Sequence, residues 1–115
     1  MNIRTGALLL ALAFAAPALA DIVTEVRAVE VTTSNVIVPT TPNGRLTFKP
    51  CAGTCEATYE SARLTPETRY RVGDQATDFA GFRKAFFNLA RGASHYALVS
   101  VDVDANTVTS VAIAD

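Results

Sequence analysis

The C-terminal part of the chain carries the pattern that most restricts its fold, a run in which apolar residues recur at every second position. In residues 95–103 the positions that share one face are Ala97, Val99, Val101 and Val103. This period of two is typical of a half-buried β-strand, because successive side chains point to opposite faces. Residues 104–106 (Asp-Ala-Asn) form a turn signal, and residues 107–113 continue as a second strand. The sequence therefore predicts a C-terminal β-hairpin.

Shorter segments upstream show the same extended character and are separated by residues that favour turns. The predicted strands are residues 22–31, 36–38, 45–49, 56–64 and 68–72. Pro39, Pro42 and Gly44 interrupt the chain between the second and third of them. We expect six or seven short strands in total.

One segment changes from a period of two to a period near 3.6. In residues 78–90, the apolar stripe with spacings of three, four and three consists of Phe79, Phe82, Phe86 and Leu89. Thr77 or Asp78 can cap the start of a helix, and Gly92 can follow its end. The sequence predicts one helix directly before the C-terminal hairpin, with the phenylalanine stripe in the core.

These elements predict an α+β fold that is mainly β. We expect a small curved antiparallel sheet or a partly open barrel, OB- or SH3-like, with the helix covering one opening. Residues 21–115 are enough for a single domain with a modest core. Residues 64–73, followed by Phe79 and Phe82 and then by residues 101–103 and 111–113, resemble a pattern in small exported bacterial OB-like domains of unknown function. The resemblance implies this fold and transfers no activity.

Residues 1–20 have the three parts of a secretory signal peptide. Arg4 lies in the basic region, residues 7–16 are apolar, and residues 18–20 (Ala-Leu-Ala) form a small-residue cleavage site. The apolar run is too short for a membrane span, which needs roughly 20 residues. The sequence predicts a periplasmic or secreted protein that starts at Asp21, with no membrane span after cleavage.

The two cysteines, Cys51 and Cys55, are separated by three residues that include a glycine. In an oxidising compartment, such a pair predicts a local disulfide, here at the tip of a hairpin. Two alternatives remain open, a crosslink between two copies and a metal or redox site. For the latter, Cys51 and Cys55 with His95 resemble the C-x-x-x-C and remote histidine of exported thioredoxin-like copper-handling factors. We expect a structural disulfide rather than a metal site.

Charge argues against nucleic acid as a partner. Without Arg4 the ten basic residues become nine against eleven acidic ones, a net charge of −2, and the two signs are interspersed along the chain. Proteins that bind nucleic acid usually gather a basic excess on one face. On the strand that contains Tyr70, however, Arg69 and Arg71 are predicted to point outward, with Arg63 beside them. These three arginines are the predicted surface for an acidic partner or an anionic envelope component.

No residue pattern predicts catalysis. His95 and Asp102 would lie about 23 Å apart along one strand, and no G-x-S-x-G motif is present. Asp102 and Asp104 belong to an Asp- and Asn-rich turn and lack the glycine and distal glutamate of a calcium loop. We expect no cofactor. The sequence favours a non-catalytic binding or envelope-assembly module whose partner is a protein or an envelope component.

Overall fold

A computed structural model describes residues 25–52, 55–89 and 95–114. The proposed signal peptide and its cleavage site lie outside the described residues. The described strands, in chain order, are β1 (Val26–Thr32), β2 (Val36–Ile37), β3 (Arg45–Phe48), β4 (Glu60–Arg63), β5 (Arg69–Val72), β6 (Gln75–Thr77), β7 (Tyr96–Asp102) and β8 (Thr107–Ile113). A 3₁₀ turn, Thr33–Asn35, joins β1 to β2, and the helix α1 (Phe79–Phe87) precedes β7.

The C-terminal hairpin is confirmed. Strands β7 and β8 pair antiparallel, from Ala97 opposite Ile113 to Asp102 opposite Thr107. The turn between them contains Asn106 at φ 55°, a left-handed conformation that asparagine adopts more readily than most residues. Strand β1 adds to the free edge of β7 along its whole length.

The sheet is mixed, which corrects the antiparallel prediction. Both β4 and β5 lie along the second edge of β8 and run parallel to it, with Arg63 beside Thr107 and Arg69 beside Ser110. Parallel neighbours need a crossover connection, and β6, α1 and β7 together provide it. Strands β3 and β2 then extend the sheet beyond β4, which gives the order β1-β7-β8-β4-β3-β2. Within the described residues, the sheet is built mostly of β-hairpins, and it does not close into a barrel.

The largest differences from the predicted strands are the start of β4 and the presence of β6. Strand β4 begins at Glu60 rather than at residue 56, because the cysteine-containing connection occupies residues 49–59. Strand β6 was not predicted: it pairs with β5 through a two-residue turn whose first residue, Gly73, has φ 60°. Glycine makes this turn possible since it adopts positive φ without a steric cost.

Helix α1 is confirmed, and it packs against β5 and β6. The Asp78 carboxylate accepts a hydrogen bond from the Gly81 amide at 2.8 Å and so caps the helix. Phe82 is buried with its ring 5.1 Å from that of Tyr70. Gly81 is required by close approach, because a Cβ atom there would collide with the Thr77 hydroxyl. The helix ends at Phe87, earlier than predicted, and residues 90–94 lie outside the described part of the chain.

The curvature of the sheet encloses one core. The fully buried large side chains are Phe48, Phe82, Leu46, Leu64, Ile113, Val31, Val99, Val108 and Val111. Arg27 of β1 reaches Glu60 of β4 at 2.9 Å, although β7 and β8 lie between these strands in the sheet. The contact shows how strongly the sheet curls. No helix among the described residues has the length and apolar character needed to cross a membrane.

Candidate functional site

The cysteine loop, residues 49–59, contains the predicted disulfide. Cys51 and Cys55 are bonded to each other, with their Cα atoms 6.6 Å apart. The Cys51 amide donates to the Lys49 carbonyl at 2.7 Å, and the Asn35 side chain donates to the Cys51 carbonyl at 3.5 Å. The bond lies at the end of the β3–β4 hairpin, as predicted. A disulfide is typical of an oxidising, extracytoplasmic compartment.

His95 lies just before β7 and contacts Thr33 of the same 3₁₀ turn that contains Asn35. Its carbonyl accepts a hydrogen bond from the Thr33 amide at 2.9 Å, and its Nε2 atom is buried and has no hydrogen-bond partner in the part of the chain that the structure describes. Across residues 25–52, 55–89 and 95–114, no three His, Cys, Asp or Glu side chains are grouped so that they could hold a metal ion. The metal hypothesis for Cys51, Cys55 and His95 stays a prediction.

Asp102 takes part in the turn between β7 and β8. Its carboxylate accepts hydrogen bonds from the Asp104 amide at 3.0 Å and the Ala105 amide at 3.2 Å. Such a side-chain bond to the backbone two and three residues ahead stabilises a turn. This is the structural role that the sequence predicts for the Asp- and Asn-rich segment.

The three predicted surface arginines lie on the outer side of the sheet, along one edge of β8. Tyr70 and Ala62 are buried on the inner side, so the exposed side chains of Arg69, Arg71 and Arg63 belong to the outer side. Their neighbours on β8 are Ser110, Ala112 and Thr107, respectively. Thr109 is an extra residue in β8, since Ser110 pairs with Ser100 and Val108 with Val101. This bulge keeps Thr107 and Ser110 on the same side, so the three arginines form one surface, the arginine face.

The arginine face lacks neutralising carboxylates. Within the described part of the chain, the ion pair between Arg27 and Glu60 is the only one. Arg71 donates from Nη2 to the Asp74 carbonyl at 3.1 Å, which leaves its other donors available. Arg63 is directly opposite Arg45 on β3. Like charges at directly opposed positions destabilise a sheet, so an anion bound here would relieve repulsion.

A bend between β4 and β5 positions the arginines. The Thr68 hydroxyl accepts a hydrogen bond from the Thr65 amide at 2.9 Å and donates to the Val108 carbonyl at 2.7 Å. These bonds tie the bend to β8. As a result the chain leaves the edge of β8 after Arg63 and returns to it at Arg69.

A groove of about 720 Å³ adjoins the arginine face. The residues of the bend, Arg69, Arg71 and Phe79 are among those that line it. Tyr70 also lines the groove, but it is only 5% exposed, and its hydroxyl has no hydrogen-bond partner within the described ranges. Burial raises the pKa of Tyr70, and the nearby Thr68 hydroxyl lowers it by less. The groove therefore combines two arginines and the Asp78 carboxylate with the rings of Tyr70 and Phe79.

A second groove, of about 780 Å³, lies on the exposed side of α1 and was not predicted. Arg83 donates from Nε to the Pro39 carbonyl at 3.1 Å, and its guanidinium lies 4.7 Å from the centre of the Phe87 ring. Phe87 is 58% exposed. The spacing of four residues between Arg83 and Phe87, which places them on one side of a helix, is the signal that could have revealed the pair.

Comparison with known proteins does not assign the chain to a family. No family model matches the chain, and no curated protein or solved structure matches it either. Within the described residues, the fold and the site therefore define the class: a mostly β domain with one α-helix, a local disulfide and a row of arginines without carboxylate partners on its outer sheet face.

Proposed function

We propose that this protein is an exported, non-catalytic binding module that acts in the periplasm or outside the cell. Its arginine face, formed by Arg63, Arg69 and Arg71, binds an acidic partner or an anionic component of the envelope. The observation that carries the proposal is the absence of any described carboxylate paired with these three arginines.

The chemistry of arginine supports an oxyanion as the ligand. A guanidinium presents several donors in a rigid fork that matches the two oxygens of a carboxylate or phosphate. Three such groups on neighbouring strands would attract a ligand that carries several negative charges. A single surface ion pair contributes little, so binding depends on the row acting together.

The strand arrangement is consistent with an OB-like barrel, which we propose as the finer description of the fold. The 3₁₀ turn makes β1 and β2 a single bent strand, and the Thr65–Thr68 bend makes β4 and β5 an interrupted one. Apart from β6, a three-residue partner of β5, five strand units then remain, and α1 lies between the third and the fourth of them. Such barrels serve as binding modules for varied ligands, which agrees with a binding role without specifying the ligand.

The proposal is tested by binding of the purified protein to two anionic probes, fluorescent polyglutamate and vesicles that contain phosphatidylglycerol. We expect binding to at least one probe that weakens steeply with salt. Each of Arg63→Gln, Arg69→Gln and Arg71→Gln should weaken binding, and the triple variant should abolish it. Lys49→Gln, which also removes one positive charge but lies in the cysteine loop, is the matched control. Failure to bind either probe, or equal binding by the triple variant, would overturn the proposal.

A second candidate function is copper handling or thiol redox chemistry by Cys51 and Cys55, with His95. The observation that favours it is that one short turn, Thr33–Asn35, contacts the carbonyls of both Cys51 and His95. The test is a thiol count on the native protein, followed by Cu(I) titration after reduction. If there is no free thiol, resistance to mild reduction and no Cu(I) binding by the reduced protein, this candidate is eliminated.

A further inference from the structure

The guanidinium of Arg83 is held in place on two sides. Its Nε atom donates to the Pro39 carbonyl at 3.1 Å, and its plane is supported by the Phe87 ring at 4.7 Å. Among the described residues, its two terminal nitrogens have no hydrogen-bond partner and no carboxylate at salt-bridge distance. The group is therefore fixed in orientation, while the edge formed by its two terminal nitrogens is free among the described residues. A receptor organised in this way loses little entropy when it binds a carboxylate.

The surroundings of Arg83 combine apolar surface with positive charge. Pro42, Phe79, Ala80 and the exposed Phe87 line the groove beside it, and Lys84 adds a second cation. The carboxylate in this groove, that of Asp78, is already engaged by the Gly81 amide. A ligand that fits this lining carries carboxylates next to apolar side chains.

The second groove continues into the groove beside the arginine face. Both are lined by Pro42, Asp78 and Phe79. A ligand that extends across Phe79 would meet Arg83 and Lys84 at one end and Arg69 and Arg71 at the other. Cations lie at both ends, and the shared lining between them consists of Pro42, Phe79 and Asp78, whose carboxylate caps the helix. Two separated pairs of cations match an extended chain with spaced acidic residues better than a compact anion.

We propose that the two grooves together bind an extended acidic peptide segment of a partner protein. Arg83 holds one side-chain carboxylate of this segment through both terminal nitrogens. Phe79 and Phe87 contact its apolar side chains, and Arg69 and Arg71 bind a second acidic residue. This inference rests on the proposed anion-binding function and names the ligand class: a peptide with acidic and apolar residues.

The experiment measures the fluorescence anisotropy of three capped peptides with the full purified protein. One peptide alternates glutamate with leucine, one alternates glutamate with serine, and one alternates lysine with leucine. We expect the glutamate–leucine peptide to bind at least about tenfold more tightly than the glutamate–serine peptide, as burial of leucine side chains predicts. The lysine–leucine peptide should not bind.

Substitutions then distinguish the specific contribution of the Arg83 guanidinium from a general effect of positive charge. Arg83→Lys keeps the charge but loses the planar fork. It should therefore weaken binding of the glutamate–leucine peptide by about tenfold, the loss expected for a hydrogen bond to a charged group. Phe87→Ala should weaken binding of the glutamate–leucine peptide more than binding of the glutamate–serine peptide, because it removes an apolar contact surface as well as the support of the Arg83 guanidinium. Lys49→Gln is the matched control, because Lys49 lies 5.1 Å above the Tyr59 ring in a similar cation–aromatic pair outside both grooves. Circular dichroism confirms that each variant is folded.

The outcomes distinguish this inference from the function on which it rests. Equal affinity for both glutamate peptides, with no effect of Arg83→Lys, would overturn the peptide inference while the arginine face remained an anion site. Binding of phosphatidylglycerol vesicles without binding of either glutamate peptide would likewise overturn it. Failure of every anionic probe would overturn both proposals.

Discussion

The cysteine loop and the arginine face differ in how far the protein itself satisfies their polar groups. In the cysteine loop, the two sulfur atoms are bonded to each other, and the Cys51 amide and carbonyl both have hydrogen-bond partners. The Lys49 ammonium lies over the Tyr59 ring. On the arginine face, by contrast, three guanidinium groups lack carboxylate partners among the described residues.

This difference shows which region has interactions left to offer a ligand. The C-x-x-x-C spacing is the more conspicuous sequence motif, yet in the structure its two sulfur atoms are bonded to each other. The arginines look like ordinary solvated strand residues in the sequence, yet the fold gathers them on one surface. We therefore expect changes in the cysteine loop to alter the stability of the fold, and changes on the arginine face to alter anion binding.

Removal of the disulfide is the change with the largest expected effect. Replacing Cys51 and Cys55 together with serine should lower the free energy of unfolding by about 2 kcal/mol, because a short crosslinked loop restricts the unfolded chain. Urea denaturation of the variant and the native protein measures this difference. Binding of polyglutamate, measured without urea while the variant is fully folded, should not change. Loss of that binding in a folded variant would instead place the cysteine loop within the binding site.

A smaller effect is expected at Tyr70, which lies beneath the arginine face. Its hydroxyl is buried and has no hydrogen-bond partner among the described residues, since the nearby Thr68 hydroxyl donates its proton to the Val108 carbonyl. A buried unsatisfied polar group is destabilising. Tyr70→Phe should therefore stabilise the fold, by about 1 kcal/mol, and preserve anion binding. Thermal denaturation measures the gain, and Tyr59→Phe, at an exposed tyrosine, is the control.

The same residue predicts a pH dependence at the alkaline limit. Burial raises the pKa of the folded Tyr70 above its ordinary value of 10.0. The neutral phenol is thus favoured by folding, and its contribution is fully present below pH 10 and is lost as the pH rises through the folded pKa. Between pH 10 and the folded pKa of Tyr70, the free energy of unfolding of the native protein should fall more steeply with pH than that of Tyr70→Phe. Equal slopes would show that the phenol is not what titrates.

The sequence predicted the parts of the fold that depend on local periodicity. The alternation around Val99 specified β7, and the alternation around Tyr70 oriented Arg69 and Arg71 outward. The parallel pairing of β4 and β5 with β8 could not be predicted in this way, because register between distant strands is not encoded in either strand alone. Strand β6 was missed because its three residues are too few to show a period.

The candidate site was predictable to the same extent. The outward direction of each arginine followed from its strand, but the gathering of Arg63 with Arg69 depends on the Thr65–Thr68 bend and on the extra residue in β8. Arg83 was not predicted because its orientation depends on the Pro39 carbonyl, 44 residues away in the chain. Charged residues on helix surfaces usually have no such partner, so helical periodicity does not reveal it.

The smallest expected effect comes from reversing one charge on the arginine face. Arg63 lies opposite Arg45, so Arg63→Glu replaces a like-charge pair with an opposite-charge pair and should stabilise the fold by about 0.2–1 kcal/mol. The same substitution should weaken polyglutamate binding, because it places a negative charge where the ligand binds. Urea denaturation and anisotropy, measured on the same samples, would thus show stability and binding changing in opposite directions. Arg63→Gln separates the two causes, since it removes the repulsion without adding an attraction. If Arg63→Glu were less stable than both Arg63→Gln and the native protein, the guanidinium of Arg63 would be part of the internal structure, and the contrast with the cysteine loop would fail at this position.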